Sequence, residues 1–257
     1  MQRTSRGKRR PRGVGNYSLP PENYRLGRFI NKEKRKGKHM FELSPLLAYE
    51  TGVHLGDGNL TYNKKWNLYR ITYAGNSETD SEFFECVLPK LIFEVYGKRV
   101  RIYHPKGEKT VLVVLNSKEI ARFKMDALGL PSGNKNQLKE FPRKLKEKYP
   151  ADIVRGLADT DFCLYFKDRN KDGIAEIPII EGCFSNEAFC SEISGILFRL
   201  GILHSTRKVV SHNKYVEHRI RVEGKGQFCR WMEKIGFWNP KHLAKADDYF
   251  GNFPAEF

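Results

Sequence analysis

The stretch Ser44-Pro45-Leu46-Leu47-Ala48-Tyr49-Glu50-Thr51-Gly52-Val53-His54-Leu55-Gly56-Asp57-Gly58 decides the fold, because it carries every mark of a helix and then recurs. Ser44 suits a helix cap, Pro45 the first turn, and apolar residues at helical spacing lead to glycines at the end. In the second half of the chain, Ala151-Asp152-Ile153-Val154-Arg155-Gly156-Leu157-Ala158-Asp159-Thr160-Asp161 has the same form. The two closing aspartates, Asp57 and Asp161, stand 104 positions apart (161 − 57). A chain that repeats a motif at such a distance is read as two copies of one unit.

The elements that follow each helix support this. Strands are predicted over Leu60–Asn63 and Trp66–Ala74 in the first copy, and over Cys163–Lys167 and Ile174–Phe184 in the second. Helices with apolar residues three and four apart come next, Asp80–Tyr96 and Glu187–Leu200. Two more strands follow in each, Arg99–His104 with Thr110–Asn116 and His204–Ser211 with Tyr215–Glu223, the hairpin at Gly173 being an ordinary turn. A third helix closes each copy, Lys118–Leu128 and Lys225–Ile235, where Met125-Asp126-Ala127-Leu128-Gly129-Leu130 echoes Met232-Glu233-Lys234-Ile235-Gly236-Phe237. The expected fold is α+β, two pseudo-symmetric αββαββα halves with mostly antiparallel sheets. The expected division is a basic extension over 1–40, a first half over 41–130, a polar, proline-bounded linker over 131–150 and a second half over 151–257.

The chain holds 46 Lys and Arg against 30 acids, so nucleic acid is the partner that its charge selects. Residues 1–40 contribute 13 cations and two acids, a surplus of 11 out of 16, so the body needs particular positions rather than bulk charge to bind anything. No run approaches the ~20 apolar residues of a membrane-spanning helix, and no secretory signal is evident, which points to the cytoplasm or an organellar matrix. The five cysteines include no C-x-x-C pair, which argues against zinc and disulfides and predicts small, buried apolar residues.

The segments Glu50–Gly58 and Val154–Phe162 resemble the nine-residue signature of the LAGLIDADG homing endonucleases, here in the form that carries two motifs in one chain. The second copy departs from the pattern by closing on Phe162, and the first by Glu50 and Leu55. The resemblance implies a monomer whose signature helices pack at the interface of two halves, their sheets forming a saddle on double-stranded DNA. It assigns Asp57 and Asp161 to catalysis and, with Gly56 and Thr160 beside them, to a site for Mg²⁺ or Mn²⁺. It also implies site-specific cleavage of both strands, short 3′ overhangs, and a gene within an intron or intein. Lys135 and Lys241, 78 and 80 residues after their aspartates, occupy the place of the family's catalytic basic residue.

Elementary chemistry is consistent with these assignments. Small residues at Gly52, Gly56, Gly156, Ala158 and Thr160 allow two helices to approach, and paired carboxylates favour a hard divalent cation that also takes phosphate oxygens. Alternation in Arg99-Val100-Arg101-Ile102-Tyr103 and His218-Arg219-Ile220-Arg221-Val222 sets Arg99, Arg101, Arg219 and Arg221 outward as groove readers, with Val100 and Ile102 packed under helices. Asn59, Thr61, Asn67, Lys167, Arg169, Arg207 and Lys208 are further candidates for DNA contact. His54 and His242 lack partners at metal-ligand spacing and are assigned core or surface roles. The alternative function is a non-cleaving nucleic-acid binder, either a maturase for intron RNA or a transcription regulator. The arginine-rich extension keeps RNA binding open.

Overall fold

A computed structural model describes residues 41–169, 171, 175–210 and 215–253, all within the compact unit Arg35–Phe257. The basic extension 1–40 and the Gly173 turn lie outside the described residues. In chain order, the first half comprises α1 (Pro45–Gly56), β1 (Gly58–Asn63), β2 (Leu68–Asn76), α2 (Leu88–Tyr96), β3 (Arg101–Tyr103), β4 (Thr110–Asn116) and α3 (Lys118–Asp126). A short helix, α4 (Arg143–Lys148), precedes the second half: α5 (Pro150–Asp161), β5 (Phe162–Lys167), β6 (Ile177–Phe184), α6 (Glu187–Arg199), β7 (Ser205–Val210), β8 (Val216–Glu223), α7 (Lys225–Lys234) and α8 (Pro240–Asn252). Both sheets are fully antiparallel, in the orders β1-β2-β4-β3 and β5-β6-β8-β7. This is the α+β architecture that the repeat predicts.

Helix α1 starts where Ser44, in extended backbone, accepts a hydrogen bond from Leu47 N at 3.2 Å, with Pro45 in the first turn. All nine residues from Leu47 to Leu55 are buried, so this helix has no wet face and must be enclosed on every side. One of those residues is a charge. Glu50 accepts from Lys124 Nζ at 2.8 Å through both carboxylate oxygens, from Tyr96 OH at 2.6 Å and from Tyr73 OH. Both members of the ion pair are fully buried, which is tolerated only because each remaining lone pair also has a donor. In α5 the matching position is the apolar Val154.

Each sheet buries one face beneath helices and leaves the other open. In β4, Val111, Val113 and Leu115 are buried whereas Leu112 and Val114 are not, and the ladder sets Ile71 and Tyr73 beside the buried set. Ile220 and Val222 are buried in β8, as the alternation predicts. Ile102 falls on the helix side of β3, opposite Val113, yet is 41% exposed, at the edge strand of the sheet.

Other expectations need correction. The linker predicted over 131–150 also feeds the core, since Phe141 and Leu145 are fully buried, at about 2 kcal/mol of apolar stabilisation apiece. Cys86, Cys163 and Cys183 are exposed and only Cys190 is buried, so three of the five cysteines are not core residues. Strand alternation explains two of these, since Cys163 and Cys183 fall on the open face of the second sheet. The helix expected over 80–96 includes a π-helical turn at Phe83–Val87, and α8 is an additional element.

Candidate functional site: the junction of two signature helices

Helices α1 and α5 cross at their glycines. A methyl group on Gly52 would overlap Ile153 O and lie 2.9 Å from Leu157 N; one on Gly156 would overlap Tyr49 O and lie 2.8 Å from Val53 N. Backbone thus meets backbone, a separation that only glycine permits. The contact extends to the helix ends, where a Cβ on Gly56 would overlap Thr160 Oγ1 and lie 3.0 Å from Asp161 Oδ2. Higher in the seam, Tyr49 OH of α1 donates to Asp159 Oδ2 of α5 at 2.6 Å, and Trp238 N donates to the same oxygen at 2.8 Å.

The two closing turns differ. Asp57 caps α1 as the residue after its last turn, and Gly58 follows because any Cβ there would meet His54. In α5 the helix includes Asp161, and Phe162 turns directly into extended backbone at φ −104°, ψ 150°. Its ring is accommodated by Gly182, whose missing Cβ would lie 2.7 Å from it. The departure from the motif at Phe162 is therefore absorbed by a glycine on the paired strand.

Asp57 and Asp161 come together as an electrostatic pair. Burial and then repulsion by Asp161 push the Asp57 carboxyl up to about 7, against the pull of Lys135. Burial raises Asp161 to about 6, again opposed by Lys135. The pair therefore ionises in two steps that belong to both carboxyls together. Lys135 reaches the same junction, donating to His54 O at 3.2 Å and to Gly56 O in the last turn of α1. Burial lowers its ammonium pKa, while Asp161 and Asp57 hold it up.

Lys241 does not mirror Lys135. Asn134 and Asn239 each cap a turn, accepting from Asn136 N and Lys241 N respectively. Counted from those caps, Lys135 is first and faces the place of Pro240, whereas Lys241 is second and faces the place of Asn136. Lys241 Nζ is bound to Asp80 Oδ1, while Asn136 Oδ1 accepts from Ser185 Oγ at 3.2 Å. Burial alone would raise Asp80, but hydrogen bonds from Lys241 and from Thr79 hold it below the usual carboxylate range. An ion pair in one half thus stands where the other has two neutral side chains. Asp80 also adds to the repulsion at Asp57.

A divalent cation fits this junction within limits. Among the described residues, no three His, Cys, Asp or Glu side chains cluster to hold a metal. The chain offers two desolvated, mutually repelling carboxylates, which suits a cation that keeps waters and takes phosphate oxygens rather than one held in a protein cage. Of the two further candidates, Gly56 O already accepts from Lys135, and Thr160 Oγ1 donates to Leu157 O at 2.9 Å. His54 and His242 are buried in the core.

The candidate DNA-contacting residues divide by face. Asn59, Thr61, Arg101, Lys167, Arg207, Arg219 and Arg221 fall on the open faces of the sheets, with Arg207 directly opposite Arg219. Lys208 pairs with His218 and so occupies the other face. Arg99 precedes β3, Asn67 sits in a turn at φ 50°, and Arg169 lies in the bend after β5. Arg70 and Thr72 share the open face with Asn59 and Thr61; the alternation Leu68-Tyr69-Arg70-Ile71-Thr72-Tyr73 was their signal in the sequence. Asp80 and Ser185 had no such signal, because their partners are distant in the chain.

No protein-family profile matches the chain. An uncharacterized protein of Methanocaldococcus jannaschii is 31% identical over 119 residues, 46% of this chain and 39% of that protein, so the chain spans well under half of its length. Among solved structures, the homing endonuclease I-DmoI in complex with DNA and Mn has a TM-score of 0.53 at 15% identity, over 76% of this chain and 98% of that one. I-DmoI in complex with DNA and Ca gives 0.53 at 16% over 80% and 98%. The I-LtrWI LAGLIDADG homing endonuclease bound to target DNA gives 0.50 at 12% over 82% and 90%. The described chain is thus built on the two-half fold of these endonucleases.

Proposed function

We propose that this chain is a site-specific DNA endonuclease that binds a duplex across the open faces of both sheets and hydrolyses one phosphodiester in each strand at the α1/α5 junction. The observation that carries this is the meeting of Asp57 and Asp161 at two glycine-packed helix ends, desolvated and repelling each other. Such a pair is costly for folding and is the arrangement that a cation-assisted phosphoryl reaction requires.

Asp57 and Asp161 would hold Mg²⁺ or Mn²⁺, with the backbone at Gly56 and Thr160 alongside; when bound, the ion supplies Lewis-acid stabilisation of charge on the phosphoryl group. Lys135, already beside both aspartates, supplies a second positive charge to that group. Lys241 serves the other strand only when it leaves Asp80. The exposed Arg70 and Arg101, in β2 and β3, and Arg207 in β7 anchor the duplex. The protein acts as a monomer, because both aspartates come from one chain. Its gene lies within an intron or intein.

The test is incubation of the protein and of an Asp57→Asn variant with a randomised duplex library and Mg²⁺, followed by sequencing of the ends. The proposal requires discrete double-strand ends at a recurring sequence, lost in the variant. A parent that binds duplex without producing ends, or a variant that cuts as well, overturns it in favour of a non-cleaving binder.

A further inference from the structure

The open faces of the two sheets differ in charge. Around Asn59, Thr61, Arg70 and Arg101 the first sheet presents no carboxylate, and neither arginine forms an ion pair among the described residues. The second sheet interleaves Lys167, Arg207, Arg219 and Arg221 with three glutamates. Arg219 donates to Glu217 Oε2 through Nη2 at 2.9 Å and Nε at 3.3 Å. Arg221 Nε donates to Glu181 Oε1 at 2.9 Å, and its Nη1 lies 3.7 Å from Glu223 Oε2. Tyr165 completes the second group, donating to Glu181 Oε2 at 3.1 Å and accepting from Arg221 Nη2 at 3.3 Å.

On the reading that this face binds duplex DNA, we infer that Glu181 and Glu217 are specificity-determining residues: they keep Arg221 and Arg219 from gripping phosphate indiscriminately and reserve them for base edges. The register supports a deliberate pairing, since Glu181 lies directly across the ladder from Arg221. The Glu181 side chain is 18% exposed, so its charge is poorly screened and fixed in place. An arginine so neutralised gains little from a phosphate, which must also approach a carboxylate. A guanine edge competes better, because it accepts the preoriented fork through two atoms, and a cytosine amino group can donate to the glutamate itself. The first sheet, without acids, supplies sequence-independent grip, and the second supplies discrimination.

The experiment uses the full chain and a pool of random-sequence duplexes, with binding read by fluorescence anisotropy over a salt series and the retained sequences determined. Glu181→Gln and Glu217→Gln keep the side-chain shape and should each tighten pool binding roughly threefold to tenfold, steepen the salt dependence by about one ion, and broaden the retained sequences. Arg101→Ala should weaken pool binding without altering the sequences retained. If the parent binds the pool and neither glutamine variant binds more tightly or relaxes the sequences, the inference is overturned while the duplex reading survives. A parent that binds no duplex overturns both.

Discussion

Replacing Asp57 by Asn should stabilise the cation-free protein, increasingly so as the pH rises. Burial and Asp161 raise this carboxyl from an ordinary 3.8 to about 7. A folded-state pKa above the unfolded one means that stability is complete below the unfolded value and is lost as pH climbs through the folded value. At about 1.4 kcal/mol per unit, the cost at about pH 8 has a ceiling near 4 kcal/mol, falling below about 2 kcal/mol at about pH 5. The junction is partly open, and solvent screening leaves about half of that ceiling. A neutral amide in place of the carboxyl carries no such cost, so the variant should exceed the parent by about 2 kcal/mol at about pH 8, a melting shift of roughly 4–8 °C for a chain of this size. The assay is urea denaturation with a chelator present at both pH values, repeated with Mg²⁺, which should shrink the gain by stabilising the parent. A variant whose gain is the same at both pH values, or which is less stable than the parent at about pH 8, would refute the claim that these aspartates repel each other in a desolvated site.

Gly156→Ala should cost about 3 kcal/mol or more in thermal or urea unfolding, because its methyl meets rigid backbone of α1, whereas Gly226→Ala, with nothing within 4 Å, should be neutral or slightly stabilising. Lys124→Met should cost about 3–5 kcal/mol by stranding Glu50, and adding Glu50→Gln, which removes the charge but keeps an acceptor for the tyrosines, should recover part of it in a double-mutant cycle. Asp80→Asn releases Lys241; the ratio of nicked to linear plasmid should then fall as the slower strand is cut faster, and an unchanged ratio counts against Lys241 acting at a scissile phosphate.

Much of the fold was legible because the first of the two repeated helices carries its own start and stop: Ser44 with Pro45 at one end of α1 and Gly56 at the other. The glycine contact was legible too, since small residues at Gly52 and Gly156 have few other reasons to recur at equal spacing. The buried Glu50 network was not, because Lys124, Tyr73 and Tyr96 reach it from three separate elements that only the folded chain assembles. Helix α8 had a readable start in Asn239-Pro240 and apolar residues at Leu243, Ala246, Tyr249 and Phe250. The spacing from aspartate to lysine suggested that Lys135 and Lys241 are equivalent, but spacing along the chain does not see caps. The single-residue shift between Asn134-Lys135 and Asn239-Pro240-Lys241 sends one amine to the junction and the other to Asp80.

The hydrogen bond from Tyr49 to Asp159 crosses the seam once, not twice. Its mirror positions, 104 residues on or back, are Ile153 and Leu55, which are apolar. Two copies of the first half, paired through α1, would face each Tyr49 hydroxyl with a leucine and leave it dry. Two copies of the second would set each Asp159 against an isoleucine and leave that buried acid without its tyrosine donor, holding only the Trp238 N–H of its own half. Each half can thus recognise the other but not itself, so a lineage that reached this chain by joining two like units has lost the route back to a symmetric dimer, and an engineer who exchanges one half must carry Tyr49 and Asp159 as a matched lock.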